Sequence, residues 1–139
     1  MNTDNLIFID SFSNKELLRY HNLCANTWWA KDRTLSECVI IAENSKMFGI
    51  LDPSINELIS VGRAVTDTIR VATIFDIIVD ENYRGKGIGK KTFNMIINHN
   101  SLKQVKIIFL QCLPEMQGFY EKLGFKVDHN PLVPMCLYK

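Results

Sequence analysis

The run Val79-Asp80-Glu81-Asn82-Tyr83-Arg84-Gly85-Lys86-Gly87-Ile88-Gly89-Lys90 carries the densest chemical signal in the chain. It joins an apolar, β-branched stretch to an amphipathic one. Three glycines, at 85, 87 and 89, let the backbone turn tightly and approach a ligand closely. The N–H groups of such a turn, and of the first helical turn after it, have no partners inside the helix. Aimed together and reinforced by the helix dipole, they suit a phosphate or pyrophosphate. Arg84, Lys86 and Lys90 add positive charge. A turn that merely caps a helix is the plainer alternative.

Other glycine-rich phosphate loops do not fit this frame. In a G-x-x-x-x-G-K-[ST] loop starting at Gly85, the second glycine would fall on Lys90. In a G-x-G-x-x-G fingerprint the third glycine would fall on Lys90 or on Thr92. The motif also lies past mid-chain, whereas a dinucleotide-binding domain carries it after its first strand.

Outward from the loop, the period of apolar residues sketches the fold. Residues 70–80, rich in Val and Ile, read as a central strand, and residues 87–98 as a helix with Ile88, Phe93, Ile96 and Ile97 inward. Upstream, residues 47–51 and 57–67 flank the turn-forming Asp52-Pro53-Ser54-Ile55-Asn56 and predict an antiparallel hairpin. Ser13-Asn14-Lys15-Glu16 and Thr34-Leu35-Ser36-Glu37 both have the capping-box form and open helices to about residues 26 and 44. Leu6-Ile7-Phe8-Ile9 is a short first strand. Downstream, residues 105–111 read as a buried strand. Residues 115–123 form a short helix stopped by Gly124. Residues 125–139 supply one or two closing strands, with Pro131 and Pro134 between them. The expected fold class is α/β (α+β), a mixed sheet of six or seven strands with about four helices on both faces.

Composition narrows the function. The 139 residues suit a single domain, expected over residues 1–139. A formal net charge of +1 provides no field for nucleic acid. No apolar run approaches the ~18–20 residues that cross a bilayer, and Met1-Asn2-Thr3-Asp4-Asn5, with no basic stretch leading into an apolar one, predicts no secretory signal. Cys24, Cys38, Cys112 and Cys136 are scattered without metal-ligand spacing, which predicts reduced thiols, no metal site and a cytoplasmic location. His21, His99 and His129 are isolated and read as surface or packing residues.

Arg84-Gly85-Lys86-Gly87-Ile88-Gly89 resembles the [RQ]-x-x-G-x-[GA] signature of the GNAT superfamily of N-acetyltransferases, and Tyr120-Glu121-Lys122-Leu123-Gly124-Phe125 is similar to its Y-x-[KR]-x-G-F element. The resemblance is specific over residues 73–125. It implies a GNAT-like, mostly antiparallel sheet and acetyl-coenzyme A as cofactor. The pyrophosphate would be held by Arg84, Gly85, Lys86, Gly87, Ile88, Gly89 and Lys90. It further implies that a backbone N–H of Ile77, Ile78 or Val79 polarises the thioester carbonyl, and that Tyr120 protonates the departing sulfur by direct transfer in a ternary complex. A phenol with a pKa of about 10 suits that task, although Tyr120 in a packing role is the alternative. In the family, the loop after the fifth strand commonly carries an Asn or Asp on the coenzyme. Here it reads Cys112-Leu113-Pro114-Glu115.

The acceptor side is read from the residues themselves. Asp76 is the one acid in an apolar strand, a costly place for an unpartnered carboxylate. It takes the amine proton, binds a cationic substrate, or pairs with a residue such as Arg63. Arg63 and Asp67, at spacing i, i+4 on a strand, share a face and line either the acceptor cleft or a solvated sheet. Trp28 and Trp29 form an aromatic wall to the acceptor pocket or pack the two helices. The implied acceptor is a primary amine of a small molecule, peptide or protein, met by a monomer or homodimer away from nucleic acid and membrane. A non-catalytic acyl-coenzyme A sensor is the second function class.

Overall fold

The computed structural model describes residues 3–139. The strands are β1 (Ile7–Ile9), β2 (Lys46–Asp52), β3 (Glu57–Thr66), β4 (Val71–Val79) and β5 (Ile107–Phe109). The helices are α1 (Asn14–Cys24), α2 (Leu35–Glu43), α3 (Ile88–Ile97) and α4 (Gln117–Glu121), four as expected. One sheet runs in the order β1-β2-β3-β4-β5. The first four strands are antiparallel neighbours, and β5 joins β4 in parallel. A parallel pair needs a crossover, and α3 is that crossover.

The helices divide between the two faces. Tyr20, Leu23 and Cys24 of α1 and Cys38 of α2 pack with Met47, Leu58, Val61 and Ile78. On the other face, Phe93 and Ile96 of α3 pack with Phe48, Ala64, Ala72 and Ile74. Even-numbered β4 residues therefore face α3 at Ala72 and Ile74 but face α1 at Ile78. The switch occurs at a bulge, where the register against β3 slips between Val61 and Arg63. Asp76 sits there with φ 55°, a left-handed conformation that an Asp tolerates better than most side chains. The bulge explains why β4 shows no clean alternation.

Local chemistry sets the ends of the elements. At α2 the Glu37 N–H donates to Thr34 Oγ1 (3.1 Å) and the Thr34 N–H to Glu37 Oε1 (3.0 Å), closing the capping box. The matching motif at α1 does not close, because the Ser13 hydroxyl donates to the Glu16 carboxylate rather than accepting from the backbone. In the β2–β3 turn Asp52 Oδ1 accepts from the Ser54 N–H (2.9 Å) and hydroxyl (2.7 Å). After α4, Gly124 at φ 98° closes a Schellman motif, with Gly124 N–H on Glu121 O (3.0 Å) and Phe125 N–H on Tyr120 O (3.1 Å).

Among the described residues the strand count is corrected from six or seven to five. The fifth strand is three residues long where seven were expected. The closing strands after Phe125 are absent among the described residues: 126–139 run without a ladder partner. Pro131 and Pro134 lack the N–H a ladder needs, and side-chain turns at Asp128 and Asn130 take up the neighbouring amides.

Candidate active site

Pairing between β4 and β5 is confined to Val71, Ala72 and Thr73 against Ile107, Ile108 and Phe109. Beyond Thr73 the two strands part, and β4 runs on to Val79 with β3 alone. Its hydrogen bonds to β3 fix which groups face the gap. Asp80 N–H donates to Ile59 O (2.8 Å), and Val61 lies opposite Ile78. Antiparallel alternation then turns the backbone of Ile77 and Val79 toward the side that β5 has left.

The glycine loop lies at the end of this gap. Gly85 (φ 76°) and Gly87 (φ 77°) are both left-handed, and Gly87 is the N-cap of α3. A Cβ on either would meet nothing within 4 Å, so both glycines border open space. The first hydrogen bond made by an α3 amide is Lys91 N–H to Gly87 O (3.1 Å). Among the described residues the amides of residues 85–90 have no backbone acceptor, leaving a consecutive run of donors at a helix N-terminus. Lys86 and Lys90 are exposed beside it. Arg84 folds back, its Nε donating to Val79 O (3.2 Å). The approach to the loop is braced: Arg19 binds the Asp80 carboxylate and donates to Leu58 O (2.9 Å), and Tyr83 Oη donates to Asp52 Oδ2 (2.7 Å).

Tyr120, on α4, packs edge-on against Phe93, Phe119 and Phe125 with centroids 5.5, 5.0 and 6.3 Å away. Its hydroxyl makes no hydrogen bond among the described residues and is not a buried orphan. Burial, followed by the nearby Cys112, raises its pKa, so the phenol keeps its proton at neutral pH.

On the opposite face the bulge aims Asp76 at the helix pair. Its Oδ2 accepts from Tyr20 Oη, Arg33 Nη1 and Arg63 Nε, each at 2.7 Å. Its Oδ1 accepts from Trp29 Nε1 (3.1 Å) and Arg33 Nη2 (3.2 Å). Burial alone would raise the carboxyl pKa. The hydrogen bonds from Arg33, Tyr20 and Arg63 outweigh it and hold the group well below the usual carboxylate range. A carboxylate held this way takes a proton only in strong acid. Arg63 pairs with Asp76, as one of the three sequence-based expectations had it, and also stacks on Phe75 (4.6 Å).

The tryptophans divide: Trp29 is tied to Asp76, while Trp28 is 67% exposed and meets Trp29 edge-on at 5.6 Å. Asp67 is not brought to this cluster. It lies just past β3, and its Oδ1 accepts from the amides of Ile69, Arg70 and Val71 (2.9, 2.7 and 3.1 Å), which closes the β3–β4 turn. Sequence reasoning missed Tyr20 and Arg33 as partners. Each lies too far along the chain from Asp76 for spacing to link them, 56 and 43 residues away.

A family model for the acetyltransferase (GNAT) domain matches residues 35–127. The uncharacterized N-acetyltransferase ycf52 of Pyropia yezoensis is 29% identical over 135 residues, spanning 95% of this chain and 77% of that protein. Glucosamine 6-phosphate N-acetyltransferase 1 of Oryza sativa subsp. japonica is 36% identical over 69 residues, or 50% of this chain and 40% of that one. A solved GNAT-family structure from Xanthomonas campestris pv. campestris superposes with a TM-score of 0.88, covering 99% of this chain and 96% of that one. At 22% identity that likeness bears on the fold alone. With a parted β4–β5 pair, a donor-lined glycine turn and a domain match over more than half its length, the chain belongs to the GNAT family of acetyltransferases.

Proposed function

We propose that residues 1–139 act as one acetyl-coenzyme A-dependent N-acetyltransferase domain, transferring acetyl to a primary amine by direct attack in a ternary complex. The single observation that carries this is the run of amides over residues 85–90 that have no acceptor among the described residues, beside the β4–β5 gap. The open space bordering Gly85 and Gly87 leaves room for a diphosphate, which the backbone N–H groups would hold with Lys86 and Lys90 nearby. Acetyl-coenzyme A, when bound, supplies the activated acyl group as a thioester.

This chain's own groups do the rest. The backbone of Ile77 and Val79 faces the gap, while Ile78 is turned to β3, and an N–H directed into the gap is preorganised to stabilise a developing oxyanion. Tyr120 holds a phenolic proton that a thiolate can take, and its hydroxyl is uncommitted among the described residues. Asp76, with all its lone pairs engaged and its pKa depressed, is a poor base. Its role is to fix Arg33, Arg63 and Trp29 as the acceptor-side wall, with Trp28 against it. The amine proton then leaves through solvent rather than to Asp76. The four free cysteines suit a reducing compartment.

The test follows thiol release from acetyl-coenzyme A with a panel of primary amines: polyamines, amino sugars, arylalkylamines, amino acids and basic peptides. Amine-dependent release supports the proposal. Tight coenzyme binding with no release from any amine would instead make the chain an acyl-coenzyme A sensor.

A further inference from the structure

Two guanidinium groups share one carboxylate at the bulge of β4. Among the described residues, Asp76 is the one acid that pairs with Arg33 or with Arg63. Tyr20 and Trp29 add hydrogen bonds to it but no charge. Nearby Glu37 is exposed and bound to Thr34 at the α2 cap, and Lys31 and Asp32 are exposed with opposite signs, so water screens all three. The cluster therefore holds one positive charge in excess, on side chains that are 20% and 13% exposed. A charge withdrawn that far from water is costly until an opposite one meets it.

The donors that remain face outward. Arg63 donates from Nε to Asp76 and from Nη1 to Ser45 Oγ (3.2 Å), and its Nη2 has no partner among the described residues. Arg33 donates from Nη1 and Nη2 to Asp76, and its Nε has none there. No buried side-chain nitrogen among the described residues lacks a partner, so these two reach solvent. The surface around them is aromatic. Arg63 is seated over the Phe75 ring, and Phe75, Trp29 and Trp28 are 38%, 44% and 67% exposed. Asp76, which already accepts five hydrogen bonds, has little left for an incoming ammonium. Phe75 and Asp76 directly precede Ile77, whose backbone faces the β4–β5 gap, so the cluster adjoins that gap.

We propose that the acceptor amine also carries an anionic group, carboxylate or phosphate, bound by the guanidinium nitrogens that Arg63 and Arg33 leave free, with Phe75, Trp28 and Trp29 beside its carbon skeleton. This rests on the acetyl-transfer reading and names the acceptor class of the same site. An oxyanion neutralises the excess charge, whereas a polyamine or a basic peptide adds to it. The guanidinium fork suits carboxylate and phosphate alike.

The experiment compares matched acceptors by thiol release from acetyl-coenzyme A: phenylalanine against phenethylamine, and phosphoethanolamine against ethanolamine. In at least one pair the anion-bearing amine should show a kcat/KM higher by about tenfold or more, mainly through a lower KM, and the pair that shows it separates carboxylate from phosphate. Arg63→Gln leaves Asp76 matched one to one with Arg33 and should lose most of that preference, while Arg63→Lys, which keeps the charge, should retain part of it; circular dichroism checks that both are folded. Trp28 and Trp29 are the chain's two tryptophans, so their fluorescence reports acceptor binding apart from turnover. The favoured amine should saturate that signal at a lower concentration than its uncharged-tail partner, and the difference should shrink in Arg63→Gln. Turnover without preference in either pair overturns the proposal and leaves acetyl transfer standing, even if neither variant folds. A preference that Arg63→Gln leaves unchanged overturns it as well. Thiol release from no amine at all overturns the transferase reading, and this acceptor assignment with it.

Discussion

Replacing Asp76 with Asn removes the one negative charge between two guanidinium groups. The carboxylate is 2% exposed, and the side chains of Arg33 and Arg63 are 20% and 13% exposed. Asn retains one carbonyl oxygen for donors from Tyr20, Trp29 and both arginines, and it turns an NH₂ group on the rest. Removing one partner of a buried ion pair costs about 3–5 kcal/mol, because the other charge remains without compensation. For a chain of this size, that corresponds to a fall in Tm of about 6–20 °C.

The same substitution has a pH signature. The folded-state pKa of Asp76 lies below its unfolded value, so its stabilisation is fully present above an unfolded pKa of about 4 and is lost as pH falls further. Urea unfolding of both proteins from pH 7 down to pH 2 should show a constant gap to about pH 4 and a shrinking one below it. A gap under ~1 kcal/mol at pH 7, or one that does not narrow in acid, would refute the reasoning.

Tyr120→Phe should lower turnover about 10²–10⁴-fold in the thiol-release assay, with coenzyme affinity nearly unchanged; a near-normal rate would leave Tyr120 a packing role alone. Gly87→Leu places a side chain at φ 77°, strained for any L residue, inside the run of amides at the N-terminus of α3. It should cost about 1–2 kcal/mol of stability and weaken coenzyme binding more than tenfold, measured by unfolding and calorimetry on the same preparation. Thr34→Ala should cost about 1 kcal/mol by opening the capping box, whereas Ser13→Ala at the unclosed box should cost measurably less in the same urea titration.

The glycine turn, the hairpin, the crossover helix and the stop at Gly124 were legible because each rests on neighbours in sequence. Thr34 and Glu37 make their bonds three residues apart, and the φ angles of Gly85 and Gly87 need nothing distant. The Asp76 cluster was half legible. An acid in an apolar strand signals a partner, but Arg33 lies 43 residues away and Tyr20 56, and no periodicity links them. The bulge was invisible because its left-handed residue is an Asp rather than a glycine. Asp67 was misplaced because β3 ends at Thr66, where the strand spacing that would carry it onto Arg63's face ceases to apply.

The central claim is that free amides over residues 85–90 hold the diphosphate of a thioester carrier. Isothermal titration of acetyl-coenzyme A into the folded protein tests it most directly. A saturable heat at one ligand per chain, competed by free coenzyme A and lost in Gly87→Leu, is the predicted result. A folded protein that gives no heat with either acetyl-coenzyme A or free coenzyme A would contradict it.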